Sequence, residues 1–264
     1  MRTRDGLLLA AWLLAVMLLA SPGPARAQEG RSLDLTIRNY GLSIGNAPRV
    51  NGVRINYRDR GLERVNGLNL TLWRPYEEDA PGTVNGLALG LPFTGAGRVR
   101  GLAVGLFGVE ANRSLHGVTV GLLGAGAGGT MSGLAVGGLG MGAGARFTGI
   151  GLGGLGLGVG EDLRGLAVGG LGVGAGGDVR GIVLGGLGVG AGGNVVGLSV
   201  ALVGVGAGGD VTGAAISGVG LGAGGRMRGV FAAGVGLGAP VVQGNAAASA
   251  VGSERYTGLA LAPG

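Results

Sequence analysis

Apolar residues and glycine alternate along this chain in a pattern that repeats every sixteen residues. One unit, from Gly165 to Arg180, reads Gly-Leu-Ala-Val-Gly-Gly-Leu-Gly-Val-Gly-Ala-Gly-Gly-Asp-Val-Arg, and nine such units run without a gap from Gly101 to Gly244. We number the sixteen positions of a unit from its first glycine. Positions 1 and 8 are glycine in every unit, whereas positions 2, 4, 7 and 9 are always apolar. A fixed short period predicts one structural element stacked on copies of itself.

The spacing of the apolar positions predicts strands. Positions 2 and 4, and then 7, 9 and 11, are separated by two residues, which places each group on one face of an extended chain. The glycines at positions 5 and 6 and the Gly-Gly-Asp stretch at positions 12 to 14 break this alternation and predict bends. We therefore expect an all-β, glycine-rich β-solenoid with about 16 residues per coil. Nine coils at about 4.8 Å each would form a rod about 43 Å long.

A helical interpretation is disfavoured by composition. The unit from Gly165 to Arg180 contains seven glycines, and each costs a helix about 0.8–1 kcal/mol relative to alanine.

The glycine positions leave the direction of the apolar side chains open. If Leu and Val point inward, the outer wall is bare backbone, on which another sheet or a second copy of the chain can pack closely. This arrangement predicts self-association through the glycine face. If Leu and Val instead face lipid, the alternative is an integral outer-membrane β-barrel.

Residues 28–100 form an irregular β-repeat region, which we interpret as the cap of the solenoid. Its strands also alternate: Val53 and Ile55 flank Arg54, and Leu68 and Leu70 flank Asn69. We expect the apolar side of each strand to be buried. A protruding loop is predicted over residues 74–82, and its aromatic residues Trp73 and Tyr76 are candidates for binding a partner. Residues 245–264 form a predicted C-terminal cap.

Three segments of this chain carry a resemblance to a known group of proteins. They are Val65-Asn66-Gly67-Leu68-Asn69-Leu70, Val84-Asn85-Gly86-Leu87-Ala88-Leu89-Gly90-Leu91 and Val99-Arg100-Gly101-Leu102-Ala103-Val104-Gly105-Leu106. These resemble the Val-x-Gly-Leu-x-φ-Gly-Leu units (φ apolar) of bacterial surface-repeat proteins, over about Gly52 to Gly244. The resemblance implies an exported, envelope-associated protein without enzymatic activity. The later units differ, because glycine replaces their polar outward residues.

The first residues and the composition point to the same compartment. Residues 1–27 combine Arg2 and Arg4, an apolar core from Leu7 to Ala20, and Ala25-Arg26-Ala27, which is typical of a signal peptide. We expect a protein of the periplasm, outer membrane or cell surface. The chain has no cysteine, so stacking rather than disulfides must stabilise it. Envelope or membrane-surface contact fits the net charge of +6, but the scattered arginines do not form the dense basic face of a nucleic-acid-binding protein.

Position 14 carries the only pattern of candidate ligands. Asp162, Asp178, Asn194 and Asp210 recur there, and stacking would align them along one edge of the solenoid. We interpret them as a solvated corner, with a calcium ladder as the alternative, because Ca²⁺ prefers several oxygen ligands. The single histidine, His116, is interpreted as another corner residue. We find no nucleophile–base pair, so we expect no catalytic residue, no bound cofactor and no enzyme.

Overall fold

The computed structural model describes residues 32–73 and 82–261, and within these ranges every regular element is a strand. The predicted signal peptide, Tyr76 and most of the predicted loop lie outside the described residues. The strands that precede Gly101 or contain it are β1 (Ser32–Ile37), β2 (Tyr40–Gly45), β3 (Arg49–Asn56), β4 (Arg64–Thr71), β5 (Thr83–Gly90) and β6 (Phe93–Gly105).

Each later coil contributes a long and a short strand. They are β7 (Gly108–Gly121), β8 (Gly124–Ala127), β9 (Thr130–Gly137), β10 (Gly140–Ala143), β11 (Phe147–Gly153), β12 (Gly156–Val159), β13 (Leu163–Gly169), β14 (Gly172–Ala175), β15 (Val179–Gly185), β16 (Gly188–Ala191), β17 (Val195–Ala201), β18 (Gly204–Ala207), β19 (Val211–Ser217), β20 (Gly220–Ala223), β21 (Arg226–Ala233), β22 (Gly236–Gly238), β23 (Val241–Ala247), β24 (Ala250–Gly252), β25 (Arg255–Thr257) and β26 (Ala260–Leu261).

The register of these strands confirms the predicted β-solenoid. Long strands pair in parallel with long strands one coil away, as in Val179 with Val195, and short strands pair with short strands, as in Gly172 with Gly188. Both pairings join residues sixteen apart. The long strand covers positions 15 and 16 and then 1 to 5 of the next unit, and the short strand covers positions 8 to 11.

The stack extends beyond the nine regular units. Strands β2 to β6 pair in parallel in the same order, with Gly52, Gly67, Gly86 and Gly101 aligned. The whole stack has about 13 turns, which corresponds to about 62 Å at about 4.8 Å per turn. β1 closes the first turn as an antiparallel partner of β2, through a two-residue turn in which Arg38 and Asn39 have positive φ.

The last regular unit is one residue shorter than the others. Gly229 pairs with Gly244, and Val242, rather than Gln243, lies in register with Met227. Val242 is fully buried, so it takes the interior position that sixteen-residue numbering assigns to Gln243.

The interior is formed by a different set of positions than the sequence pattern predicts. Positions 15, 3 and 5 of the long strands and positions 9 and 11 of the short strands are buried, for example Val179, Val183 and Val189. Positions 2 and 4 point outward, and Ile182 remains 46% exposed. Positions 2 and 4 therefore share the outer side and positions 9 and 11 share the inner side, whereas position 7, which the alternation places with positions 9 and 11, is exposed, as at Leu171 (52%). The long strand begins at position 15 and continues without a break through the glycine at position 1, so its alternation is set by position 15.

In the irregular coils, too, the inward and outward side chains are the reverse of those that the sequence pattern predicts. Arg54, Asn56, Asn69 and Thr71 are buried inside, whereas the apolar neighbours Val53, Ile55, Leu68 and Leu70 lie on the outer side. The prediction that the apolar side of these strands is buried is wrong, because their alternation continues from the buried valines at position 15, Val50 and Val65. The inside is tight at position 5, where a Cβ at Gly185 would overlap the carbonyl oxygen of Gly188 on the facing strand. Other inward positions accommodate large side chains, among them Phe147.

Candidate interaction surfaces

The outward residues of the long strands form an apolar surface that we call the apolar ladder. It consists of positions 2 and 4, namely Leu102, Val104, Val118, Val120, Leu134, Val136, Ile150, Leu152, Leu166, Val168, Ile182, Leu184, Leu198, Val200, Ala214, Ile216, Val230 and Ala232. All of them are half-buried or exposed. Aligned coils place each such residue directly beside its counterpart in the next coil, as in Leu166 with Ile182. The result is a continuous apolar surface of a size that is unusual on a soluble monomer.

The outward residues of the short strands form a second surface, the glycine wall. It consists of position 8 (Gly124, Gly140, Gly156, Gly172, Gly188, Gly204, Gly220 and Gly236) and position 10 (Gly126, Gly142, Gly158, Gly174, Gly190, Gly206, Gly222 and Gly238). In the first unit Gly108 is buried and position 10 is Glu110, so the wall begins with the second unit. The apolar residue between them, at position 9, is buried. The backbone of these strands is therefore the outer surface, with its hydrogen bonds used between coils.

One end of the glycine wall forms a shallow groove of about 560 Å³. Phe93 and Phe107 bound it, with ring centroids 6.0 Å apart, and Leu123 lies along its side. Position 7 continues this border along the wall, since Leu139, Leu155 and their counterparts are about half exposed. Exposed apolar side chains at position 7 therefore lie along one border of the glycine wall.

Charged residues of the units between Gly117 and Gly244 occur only at positions 13, 14 and 16. We call these positions the charged edge. Asp162 lies 3.5 Å from Arg164 and 3.6 Å from Arg146, and Asp178 lies 2.8 Å from Arg180. The charges of this edge therefore largely compensate one another, while the apolar ladder and the glycine wall carry none in these units.

The four residues proposed as a calcium ladder do align along this edge. Each uses one side-chain oxygen to accept a hydrogen bond from the backbone N–H of the residue sixteen positions later. Asp162 accepts from Asp178, Asp178 from Asn194, Asn194 from Asp210 and Asp210 from Arg226, at 3.2, 2.8, 2.8 and 2.7 Å. The hydrogen bond from the Asn194 backbone is the main cause that lowers the pKa of Asp178, with Arg180 adding to it. These contacts join adjacent coils at the corner of the stack, and the choice between a solvated corner and a calcium ladder stays a prediction. The described residues contain no group of three or more His, Cys, Asp or Glu side chains arranged to hold a metal ion.

The other predicted side chains are placed on the surface. Trp73 is 48% exposed and stacks on Tyr57, with ring centroids 6.3 Å apart. Tyr76 lies outside the described residues, so its proximity to Trp73 stays a prediction. His116 contacts Ser132 of the next coil through Nδ1, 2.6 Å from the hydroxyl oxygen, at position 16 of the long strand.

A buried polar cluster fills the first coils, and sequence reasoning missed it. Arg54 and Asp59 form an ion pair of 2.7 Å with both side chains fully buried. Asn69 bonds to both, at 3.0 Å each, and Asn56 and Thr71 complete the cluster. We call these five residues the polar plug. The signal that could have found them is the alignment of Gly52 and Gly67 with Gly101, which puts Arg54 and Asn69 at position 3.

The outer surface beside the plug carries an amide ladder. Asn66 donates to Asn51 at 2.6 Å and Asn85 donates to Asn66 at 2.8 Å, one bond per coil at position 16. A polar groove of about 450 Å³ lies next to it, lined by Asn51 and Asn66 and by the ion pair of Arg49 with Glu63. Stacked amides of this kind reinforce parallel pairing between identical positions.

No protein-family model matches this chain, and neither a curated protein nor a solved structure matches it. In residues 32–73 and 82–261, no helix is long and apolar enough to cross a membrane. The resemblance to bacterial surface-repeat proteins therefore stays a prediction from the repeat units, and the β-solenoid itself is established from the register of the strands.

Proposed function

We propose that this protein is a non-enzymatic structural or interaction component of a bacterial envelope. It is exported by its first 27 residues to the periplasm, outer membrane or cell surface. The signal-like segment and the resemblance to bacterial surface-repeat proteins support this assignment. The β-solenoid, a fold that builds long regular surfaces, is consistent with a structural protein.

The observation that carries the proposal is the distribution of charge around the stack. The nine regular units confine almost all their charge to one edge, and leave an apolar ladder along all nine units and a glycine wall along the last eight. A contiguous uncharged surface of this extent is typical of a contact with another macromolecule. The proposal rests on these extended surfaces and not on a deep pocket with converging polar groups, which is the usual form of a catalytic site.

The proposed partner interaction is self-association that uses the glycine wall. Its bare backbone allows closer approach than any side-chain-bearing face. Compensation of charge within the charged edge supports an uncharged partner over a nucleic acid, whose phosphates require an excess of basic residues.

Cell fractionation tests the proposed location. The full chain is expressed in a bacterial host and compared with a variant in which Leu13 and Leu14 are replaced by Arg, which interrupts the apolar core of the predicted signal. We expect the unaltered chain in the envelope or periplasmic fraction, shortened at its N-terminus, and the variant in the cytoplasm. Equal retention of both chains in the cytoplasm would refute export. Washing the membranes with salt and then with carbonate separates peripheral from integral association.

A further inference from the structure

The glycines at position 10 of the wall are not required by the fold. Gly181, at position 1, has φ of +130°, and a Cβ there would overlap the carbonyl oxygen of Gly165. Gly174, Gly190 and Gly206, at position 10, lack this constraint, since a Cβ at each would have nothing within 4 Å. The described structure therefore explains the glycine at position 1 but gives no internal reason for glycine at position 10.

Glycine persists at the wall although other positions of the units vary. Position 9, between the two wall positions, holds alanine, methionine, leucine or valine, and position 3 ranges from glycine to Phe231. Position 8 is glycine in all nine units and position 10 in the last eight. Glycine in a strand costs about 0.5–1 kcal/mol relative to alanine, and its recurrent use there is typical of a close backbone approach. This recurrence points to a surface outside the coil that lies against the wall.

We infer that the surface that lies there is the apolar ladder of a second copy of this chain. This inference rests on the proposed self-association and names the two surfaces that meet. The ladder protrudes, is apolar and carries no charge, so it can pack on bare backbone. Its coils repeat at the same spacing as the coils of the wall, about 4.8 Å, so every ladder residue meets an equivalent site along the rod.

The size of the two surfaces is sufficient for such a contact. Eight coils carry both surfaces and give a length of about 38 Å, and two outward columns of side chains at about 6.6 Å each make either surface about 13 Å wide. The contact would bury about 500 Å² on each copy, or about 1,000 Å² in total, which lies at the lower limit for specific protein interfaces. We therefore expect association that depends on protein concentration rather than a permanent dimer.

The geometry also determines the kind of assembly. The ladder and the wall lie on the two outer sides of a shared core, because positions 3 and 5 of one sheet pack against positions 9 and 11 of the other. A contact between the ladder of one copy and the wall of the next uses different surfaces on the two partners. It leaves one free ladder and one free wall on every pair, so the assembly grows in an open row.

Two sets of substitutions separate the two surfaces. A wall variant carries Gly174→Val, Gly190→Val and Gly206→Val, which add side chains where the coil leaves open space. A ladder variant carries Ile150→Glu, Ile182→Glu and Ile216→Glu, at side chains that are 45, 46 and 47% exposed. Circular dichroism and thermal unfolding must first show that both variants fold like the unaltered protein. Sedimentation velocity and light scattering over a concentration series then report their association.

The unaltered protein is expected to form open-ended oligomers, and each variant alone should associate more weakly by over about tenfold. A mixture of the two variants should form a one-to-one pair and stop there, since only one intact ladder and one intact wall remain. Association of the wall variant alone would indicate a ladder-to-ladder dimer and overturn the inference. Association of the ladder variant alone would indicate a wall-to-wall dimer and overturn it as well.

A lipid occupant of the ladder gives another pattern of results. In that case the unaltered protein would stay monomeric and would bind phosphatidylglycerol vesicles, which the ladder variant would not, and the inference would be wrong. A monomeric protein that binds no vesicles would also overturn it. Neither result affects export, which fractionation tests separately, so the failure of this inference and the failure of the proposed location are distinguishable.

Discussion

At the scale of single residues, the glycines at position 1 and those at position 10 have different structural roles, which the sequence alone does not distinguish. Those at position 1 adopt a left-handed conformation and lie against the carbonyl oxygen of the coil before, as Gly181 does against Gly165. Those at position 10, such as Gly190, have open space where a Cβ would point. The glycines at position 1 therefore allow adjacent coils to approach closely, whereas the glycines at position 10 leave the outer surface without side chains.

This difference predicts opposite effects of alanine in one coil. Gly181→Ala combines a positive φ with overlap against backbone, and we expect it to destabilise the fold by about 1–3 kcal/mol. Gly190→Ala, the matched control nine residues later, meets no atom, and should be neutral or stabilise by up to about 1 kcal/mol, because alanine restricts the unfolded chain. Urea unfolding followed by circular dichroism measures both. Similar losses of stability in the two variants would contradict this division of the glycines.

At the scale of elements, the sequence predicts the two strands per coil but not the direction of their side chains. The alternation within β15 and β16 is visible in the sequence, and so is the corner between coils. The sequence analysis begins the first strand at position 2, whereas β15 begins two residues before Gly181 and runs through it from Val179 to Gly185. A shift of phase by one residue exchanges the inner and outer faces of a strand. The apolar ladder was missed for this reason, and so was the polar plug.

The plug joins polar residues at inward positions into one network, in which only Arg54 Nε and Asn56 Oδ1 lack a hydrogen-bond partner. Arg54 and Asp59 are both fully buried, and Asn69 connects them. Removal of one partner from a buried ion pair leaves an uncompensated charge and costs about 3–5 kcal/mol. The plug should therefore set the stability of the first coils.

Asp59→Ala is expected to open the first coils selectively. Hydrogen exchange measured by mass spectrometry should show lost protection in peptides that cover β3 and β4, with little change in β15 to β19, because each coil contacts mainly its neighbours. Glu63→Ala is the matched control, since Glu63 pairs with Arg49 on the surface, where such a pair is worth about 0–1 kcal/mol. Equal loss of protection in both variants would rule out a special role for the buried pair.

At the scale of the whole molecule, stability is distributed along a stack in which contacts run between adjacent coils. Long strands pair with long strands and short strands with short strands, in a sixteen-residue register up to Gly229, after which the last regular unit is one residue shorter. In such an array the free energy of unfolding is close to a sum over coils and the contacts between them. The number of coils is therefore adjustable, whereas the length of a regular coil is restricted, because its long and short strands must both align with those of the next coil.

Because whole coils are the repeating units, we predict that deletion of one complete coil lowers the stability of the fold less than deletion of half a coil. Deletion of Gly165–Arg180 removes one whole coil and joins Arg164 to Gly181, which preserves every position of the register. Deletion of Gly165–Gly172 removes half as many residues but leaves half a coil, which can pair with neither neighbour and must loop out. We expect the first variant to keep the circular dichroism spectrum and a urea midpoint close to that of the unaltered chain, and the second to unfold at clearly lower urea. If the variant with the eight-residue deletion were the more stable one, the coil would not be the unit of stability. The equal spacing of coils along the apolar ladder and the glycine wall would then have no physical basis.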